Sequence, residues 1–128
     1  MELGFGFAAG IVTIRLAGEY MIADAKTAIR MVVPGDKYAV RGTLIDLRES
    51  RSLATRSRAE LETIGTYLAD LREELGGRVA IVVGGQLAYG LTRVAAAWAG
   101  VNGLPIRTFF DETSAVAWLS DRQSPDAA

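Results

Sequence analysis

The sequence contains no cysteine and no histidine. Without cysteine there are no disulfides and no thiolate nucleophiles, and without either residue the usual ligands of zinc sites are missing. Histidine is also the commonest general base in enzymes. We therefore expect a non-enzymatic protein with no catalytic residue, no metal and no cofactor. An enzyme remains the third alternative, because Asp, Glu, Tyr, Ser and Thr side chains from distant positions could still meet in the fold.

An excess of one charge and long apolar runs are missing too. The 14 Lys and Arg residues are balanced by 15 Asp and Glu residues, so no general basic field favours nucleic acid. No apolar run approaches the roughly 20 residues that span a bilayer. Residues 1–10 also lack the basic start and the unbroken apolar run of a signal peptide. These observations predict a soluble cytoplasmic protein that neither binds nucleic acid nor inserts into a membrane.

What remains is a chain of 128 residues, half of them hydrophobic, which suits one domain of ordinary size. We predict a single α/β domain over residues 1–120. The tail at 121–128 shows no apolar periodicity, so we predict that it is disordered.

Apolar periodicity indicates the elements of this domain. Residues 3–8 and 11–16 alternate with period two around Ala9-Gly10, which is typical of an antiparallel hairpin. Further strands are predicted at residues 43–47, 78–83 and 105–110, and about four helices lie between and after them. The layer rules then predict a mixed, mostly parallel sheet of four to five strands with the antiparallel hairpin at one edge.

Apolar stripes predict which helix faces are buried. The third helix carries Leu87, Leu91, Val94, Trp98 and Val101 at spacings of 4, 3, 4 and 3, which predicts that this stripe faces the core. Trp98 and Trp118 are both predicted to be core residues.

The carboxyl ends of parallel strands meet at one edge of such a sheet, where ligands usually bind. The segments expected there are residues 18–20, 48–56 and 84–86 and Asp111. The second of these carries Arg48, Arg51 and Arg56. It is either a solvated loop leading into a helix with a capping box at Ser57, or a surface for an anion or a protein partner.

Two other patterns lie at the same edge. Gly84-Gly85 joins a buried strand to a helix, and it is either a tight turn with positive φ or a place where backbone amides reach an anion. Tyr89 and Arg93 are four residues apart, so they can form a cation–π pair or simply decorate the helix surface. Asp46 is a weak candidate phosphoacceptor, because no lysine follows at the end of the last strand.

Three stretches together resemble the STAS domain superfamily, in the branch related to the sporulation anti-anti-sigma factor. They are YAVRGTLIDLRES, GRVAIVVGGQLAYGLTR and IRTFFDETSAVAWL, and the resemblance covers about residues 11–119. It implies a regulatory domain that binds a kinase-like protein and is controlled by phosphorylation in a D-S-S-G motif. The motif's positions fall on Ala54, Thr55, Arg56 and Ser57, so the resemblance implies Thr55 as the phosphorylation site, and Ser57, at the glycine position, is a second candidate. The outline is also similar to lipid-transfer domains of the CRAL-TRIO type.

The leading hypothesis is therefore a regulatory module that binds an unknown protein partner. The alternative is a pocket for a small anionic or lipid-like ligand at the same edge of the sheet. A homodimer through the exposed edge of the hairpin is a further expectation. The binding residues predicted for this edge are Arg48, Glu49, Arg51, Arg56, Gly84, Gly85, Tyr89 and Arg93.

Overall fold

A computed structural model describes residues 1–32 and 40–121. The predicted disordered tail, apart from Asp121, lies outside the described residues, and the extent of the domain stays a prediction. The strands are β1 (Glu2–Ala8), β2 (Ile11–Ala17), β3 (Gly42–Asp46), β4 (Val79–Val82) and β5 (Ile106–Phe109). The α-helices are α1 (Ile22–Val32), α2 (Arg58–Asp70), α3 (Gln86–Val101) and α4 (Glu112–Ser120), and a short 3-10 helix spans Leu53–Thr55.

The strands form one mixed sheet in the order β1-β2-β3-β4-β5. β1 is antiparallel to β2, and every other neighbouring pair is parallel, which confirms the predicted fold class. Ala9 and Gly10 take φ values of 53° and 81°, the left-handed backbone that a two-residue hairpin turn favours because its twist matches the strands.

Sequential strand order places the three crossover helices on the same face of the sheet, because parallel crossovers are right-handed. The main core lies between these helices and residues such as Ile14, Ile45 and Ile81. α4 packs on the opposite face, where Trp118 and Leu119 join Leu44 and Val82 in a second core. Neither β1 nor the polar residues of β2 belong to this second core.

The predicted buried stripe of α3 is wrong. Leu87, Trp98 and Val101 are 66%, 42% and 83% exposed. The residues of α3 that are buried are the small side chains Thr92, Ala95 and Ala99. The core therefore receives small residues from α3, because this helix packs closely against α2, while Leu91 and Val94 are only half-buried.

The two tryptophans differ in burial. Trp118 is buried at 6% exposure, as predicted, and packs beside Phe109 with ring centroids 6.0 Å apart. Trp98 is not a core residue, and its indole nitrogen donates a hydrogen bond to the Thr66 hydroxyl over 2.7 Å. No helix among the described residues combines the length and apolar character needed to cross a membrane.

Candidate functional site at the carboxyl edge of the sheet

Backbone hydrogen bonds fix the charged segment to the end of β2. The Gly18 amide donates to the Glu49 carbonyl, and the Arg51 amide donates to the Gly18 carbonyl, each over 2.9 Å. The Tyr20 amide donates to the Ser52 hydroxyl over 2.7 Å. These hydrogen bonds and one isolated parallel bridge between Gly18 and Ser50 attach the segment to the end of β2, while Arg48, Glu49 and Arg51 are exposed.

The same segment meets the turn after β4. The Leu47 amide donates to the Val82 carbonyl over 2.8 Å, and a Cβ atom added to Gly84 would lie 3.6 Å from the Arg48 carbonyl oxygen. The two segments thus lie at one end of the sheet, as expected for the carboxyl ends of parallel strands. We call this surface the rim and define it as residues 18–20, 47–57, 84–93 and 110–112.

Arg48 is paired with a carboxylate, although its side chain is 42% exposed. Its Nε donates to Asp46 Oδ1 over 3.0 Å and its Nη2 to Asp46 Oδ2 over 2.8 Å, in a bidentate pair. Burial acts to raise the pKa of Asp46, but the hydrogen bonds from Arg48 outweigh it and hold this pKa below its usual value. Asp46 is therefore an ion-pair partner whose two oxygens are both occupied, which disfavours a role as phosphoacceptor.

Arg56, unlike Arg48, is turned inward, although the sequence predicts it on the binding surface. Its side chain is only 8% exposed. The guanidinium lies over the Tyr20 ring, 5.6 Å from the centroid, donates to the Tyr20 carbonyl and lies 3.6 Å from Glu60 Oε2. Burial raises the pKa of Tyr20, against smaller opposing effects from Ser50 and Arg56. Arg51, by contrast, is exposed.

The two candidate phosphorylation sites differ in their local bonds. Ser57 caps α2: its hydroxyl accepts from the Glu60 amide over 3.1 Å, and its own amide donates to the Glu60 carboxylate over 2.9 Å, so the predicted capping box is confirmed. The hydrogen bond from the Ser57 amide lowers the pKa of Glu60. Thr55 is exposed at the end of the 3-10 helix, and its hydroxyl donates to the Ser52 carbonyl over 2.9 Å.

Gly84 and Gly85 do not have the positive φ that a tight turn would need. Gly85 is the residue before α3 and is extended, with φ at −167°. A Cβ atom on Gly85 would meet nothing within 4 Å. Neither backbone conformation nor packing requires glycine at Gly85, which leaves the start of α3 bare and open to an approaching molecule.

Tyr89 and Arg93 form the predicted cation–π pair, with the guanidinium 5.8 Å from the ring centroid. Phe110, which the sequence patterns did not indicate, stacks its ring on Tyr89 with centroids 5.0 Å apart and planes 18° apart. Phe110 is 47% exposed and Leu87 is 66% exposed. The double Phe of the last strand was the available signal, because successive strand residues point to opposite faces and only Phe109 can join the α4 core.

The rim holds no cluster suited to a metal. Within residues 1–32 and 40–121, no group of three acidic side chains is placed to hold an ion. Asp111 instead caps α4 by accepting from the Ser114 amide over 2.7 Å, and this hydrogen bond lowers the pKa of Asp111.

Comparisons with protein-family models, with curated proteins and with solved structures found no match. The geometry of the rim therefore carries the functional argument.

Proposed function

We propose that the protein is a non-enzymatic regulatory module of STAS-like type that binds a protein partner through its rim. The rim combines exposed apolar residues, Leu87 and Phe110, with Tyr89 and two arginines, Arg51 and Arg93. Aromatic residues and arginine are the types enriched at the energetic centres of protein interfaces. The resemblance to STAS domains supports the same role and a cytoplasmic location.

One observation carries the proposal most directly. Tyr89 stacks on Phe110 and makes a cation–π contact with Arg93, and its amide donates a hydrogen bond to the Gly85 carbonyl. Side chains that are already ordered lose little conformational entropy when a partner binds. The stack therefore supplies contact area at low cost, while the neighbouring glycines let the partner approach the backbone.

Control by phosphorylation is part of the proposal. Thr55 occupies the acceptor position that the STAS resemblance implies, and its side chain is exposed. A phosphate there would add negative charge near the exposed Arg51. We expect phosphorylated Thr55 to change the affinity for the partner, whereas phosphorylation of Ser57 would act on the cap of α2.

Site-specific photo-crosslinking tests the interaction surface. A benzophenone side chain is placed at Leu87, at Phe110 or, as the control, at Val101, which is exposed at the opposite end of the same helix. We expect crosslinks to one common polypeptide from the two rim positions and none from Val101. A common crosslinked polypeptide from Val101 alone would place the partner away from the rim and contradict the proposal.

We also propose a homodimer through β1. It is the edge strand of the sheet, and its Phe5 and Phe7 are 72% and 54% exposed. No described strand pairs with its outer side. Unpaired edge amides next to exposed aromatic rings favour pairing with a second strand.

A further inference from the structure

The backbone groups on the outer side of β1 follow from the hydrogen bonds of β2. The Gly10 carbonyl accepts from the Arg41 amide over 2.6 Å, so Gly10 and every second residue after it turn their backbone groups toward β3. Ile11 and every second residue after it therefore turn theirs toward β1, where Ile11 lies opposite Ala8. On β1, Ala8 and every second residue before it are thus bonded to β2. The residues whose N–H and C=O groups point outward are Leu3, Phe5 and Phe7.

The side chains of these three residues share the face of the sheet that carries the crossover helices. Phe5 lies opposite Ile14 and Phe7 opposite Val12, and both partners belong to the main core. Residues directly opposite each other in an antiparallel pair project from the same face. Phe5 and Phe7 are nevertheless exposed, and Leu3 is half-buried. The edge therefore presents main-chain donors and acceptors beside exposed aromatic rings.

The sequence of β1, ELGFGFA, is nearly symmetric about Phe5. Gly4 and Gly6 flank Phe5, and the apolar residues Leu3 and Phe7 follow on either side. A two-fold axis sets a strand against its own copy in the opposite direction, so a strand with this symmetry is complementary to itself. β1 also contains none of the Lys or Pro residues that commonly keep an edge strand from pairing. These features favour a second copy of the chain as the occupant of this edge.

We propose that two copies of the protein pair β1 with β1 in antiparallel direction about a two-fold axis at Phe5. Gly4 then lies opposite Gly6 of the second copy, and Leu3 lies opposite Phe7. The two five-stranded sheets become one continuous sheet, with the phenylalanine rings of both copies side by side across the axis. The inference rests on the homodimer through β1 proposed above and adds the residues that meet.

The position of the axis follows from the outward-facing residues. With the axis at Phe5, all of them pair within β1 of the second copy. An axis at Gly4 would place Phe7 opposite Met1, which lies outside β1, and an axis at Gly6 would lose a pair at the other end in the same way. A pair lost in this way forfeits both of its main-chain hydrogen bonds. The axis at Phe5 also sets the two Phe5 rings opposite each other, and such cross-strand aromatic pairs stabilise a sheet.

Disulfide mapping tests the register, because the chain has no cysteine of its own. Gly4→Cys and Gly6→Cys place thiols on the face away from the rings. The added Cβ atom would lie 3.5 Å from its nearest neighbour at Gly4 and would meet nothing within 4 Å at Gly6, so both variants should fold. The two variants are mixed in equal amounts, one of them with a mass tag, and oxidised. We expect a disulfide between tagged and untagged chains, because the Cα atoms of such a pair lie about 4.5 Å apart, within the span of a disulfide.

This product should be lost when either variant is oxidised by itself. Two copies of Gly4→Cys place their thiols diagonally, with Cα atoms about 7–8 Å apart, beyond the usual span of a disulfide. Val116→Cys, at an exposed position of α4, is the control for random collisions and should not crosslink. In the wild-type dimer, NMR of mixed labelled and unlabelled protein should show contacts between the Hα protons of Gly4 and Gly6 of different copies. This measurement decides the register if a cysteine variant fails to fold.

Three results would overturn the inference, and they are distinguishable. If Gly4→Cys or Gly6→Cys crosslinks with itself as strongly as the mixture does, the axis lies elsewhere or the strands are parallel, and the homodimer through β1 still stands. If the protein has the dimer mass but shows neither a crosslink nor the NMR contact, the dimer uses another surface. If light scattering gives the monomer mass for the wild type at all concentrations, the homodimer is wrong and the register is wrong with it.

Discussion

Gly65 of α2 faces the backbone of Ala95 of α3 with no room for a side chain between them. A Cβ atom on Gly65 would lie 2.6 Å from the Ala95 carbonyl oxygen and 3.2 Å from the Ala99 amide nitrogen. This close approach explains why the buried face of α3 consists of small residues.

Gly65→Ala should therefore destabilise the protein by about 1–3 kcal/mol, the usual cost of overpacking, because the opposing atoms belong to the backbone and cannot rotate away. Urea unfolding followed by circular dichroism measures the change. Gly90→Ala is the matched control in α3, since a Cβ atom there would meet nothing within 4 Å, and it should stabilise by about 0.5–1 kcal/mol. Equal effects at the two positions would mean that the helices are not in close contact.

The ion pair of Asp46 and Arg48 predicts a pH dependence. Because the pKa of Asp46 is lowered in the fold, its stabilising contribution is present above the usual carboxyl pKa of about 4 and is lost as the pH falls through the lower folded value. Asp46→Asn should lower the free energy of unfolding at pH 7 by about 1 kcal/mol, a modest value because Arg48 is partly exposed. The variant should also lose less stability than the wild type between pH 4 and pH 2, by about the same amount.

Thermal or urea unfolding at a series of pH values checks this prediction. Asp70→Asn serves as the control, because Asp70 is an exposed aspartate on α2. A wild-type acid transition that Asp46→Asn leaves unaltered would show that the ion pair contributes nothing to folding.

The different surroundings of the two tryptophans predict a fluorescence result. Trp98 is 42% exposed and Trp118 is 6% exposed. In Trp98→Phe the remaining emission should be poorly quenched by acrylamide, and in Trp118→Phe it should be strongly quenched. Similar quenching constants in the two variants would contradict the outward position of Trp98.

The proposed dimer predicts a mass that depends on β1. Light scattering after size-exclusion chromatography should give twice the chain mass for the wild type. Phe5→Lys combined with Phe7→Lys should give the monomer mass, because charges beside the edge oppose pairing. Val116→Lys, on α4 at 37% exposure, should leave the dimer intact. If the wild-type protein is monomeric at all concentrations, the proposed dimer through β1 is wrong.

Local sequence patterns were sufficient to predict the strands and helices of the fold. Period-two alternation around Ala9-Gly10 predicted the hairpin, and the Ser57 and Glu60 spacing predicted the capping box of α2. Both depend on residues close in sequence, whose geometry the backbone sets directly. The shared position of Arg48 and Gly84 at the rim also followed, since parallel strands carry their carboxyl ends to the same side.

The sequence predicted that the segments at residues 48–56 and 84–86 meet at one end of the sheet, but not which of their side chains are exposed. The backbone of Arg48 and the Gly84 turn meet at this end of the sheet, but Arg48 is paired with Asp46 and Arg56 turns inward to Tyr20. Leu87 and Phe110 were missed because an apolar residue near a helix start or a strand end fits the core equally well by pattern. Whether such a residue is buried depends on which side chains from distant parts of the chain occupy the core beside it.

The sequence by itself therefore determined the succession of strands and helices along the chain and the mixed sheet, because these follow from short-range periodicity and chain connectivity. Only the tertiary structure decided which face of α3 is buried, and that the Arg51 side chain is exposed while the Arg56 side chain is buried. The contact of Gly65 in α2 with Ala95 in α3 joins two residues that are 30 positions apart in sequence. Such long-range contacts decide which face of a helix is buried, because the local apolar pattern does not distinguish between the faces.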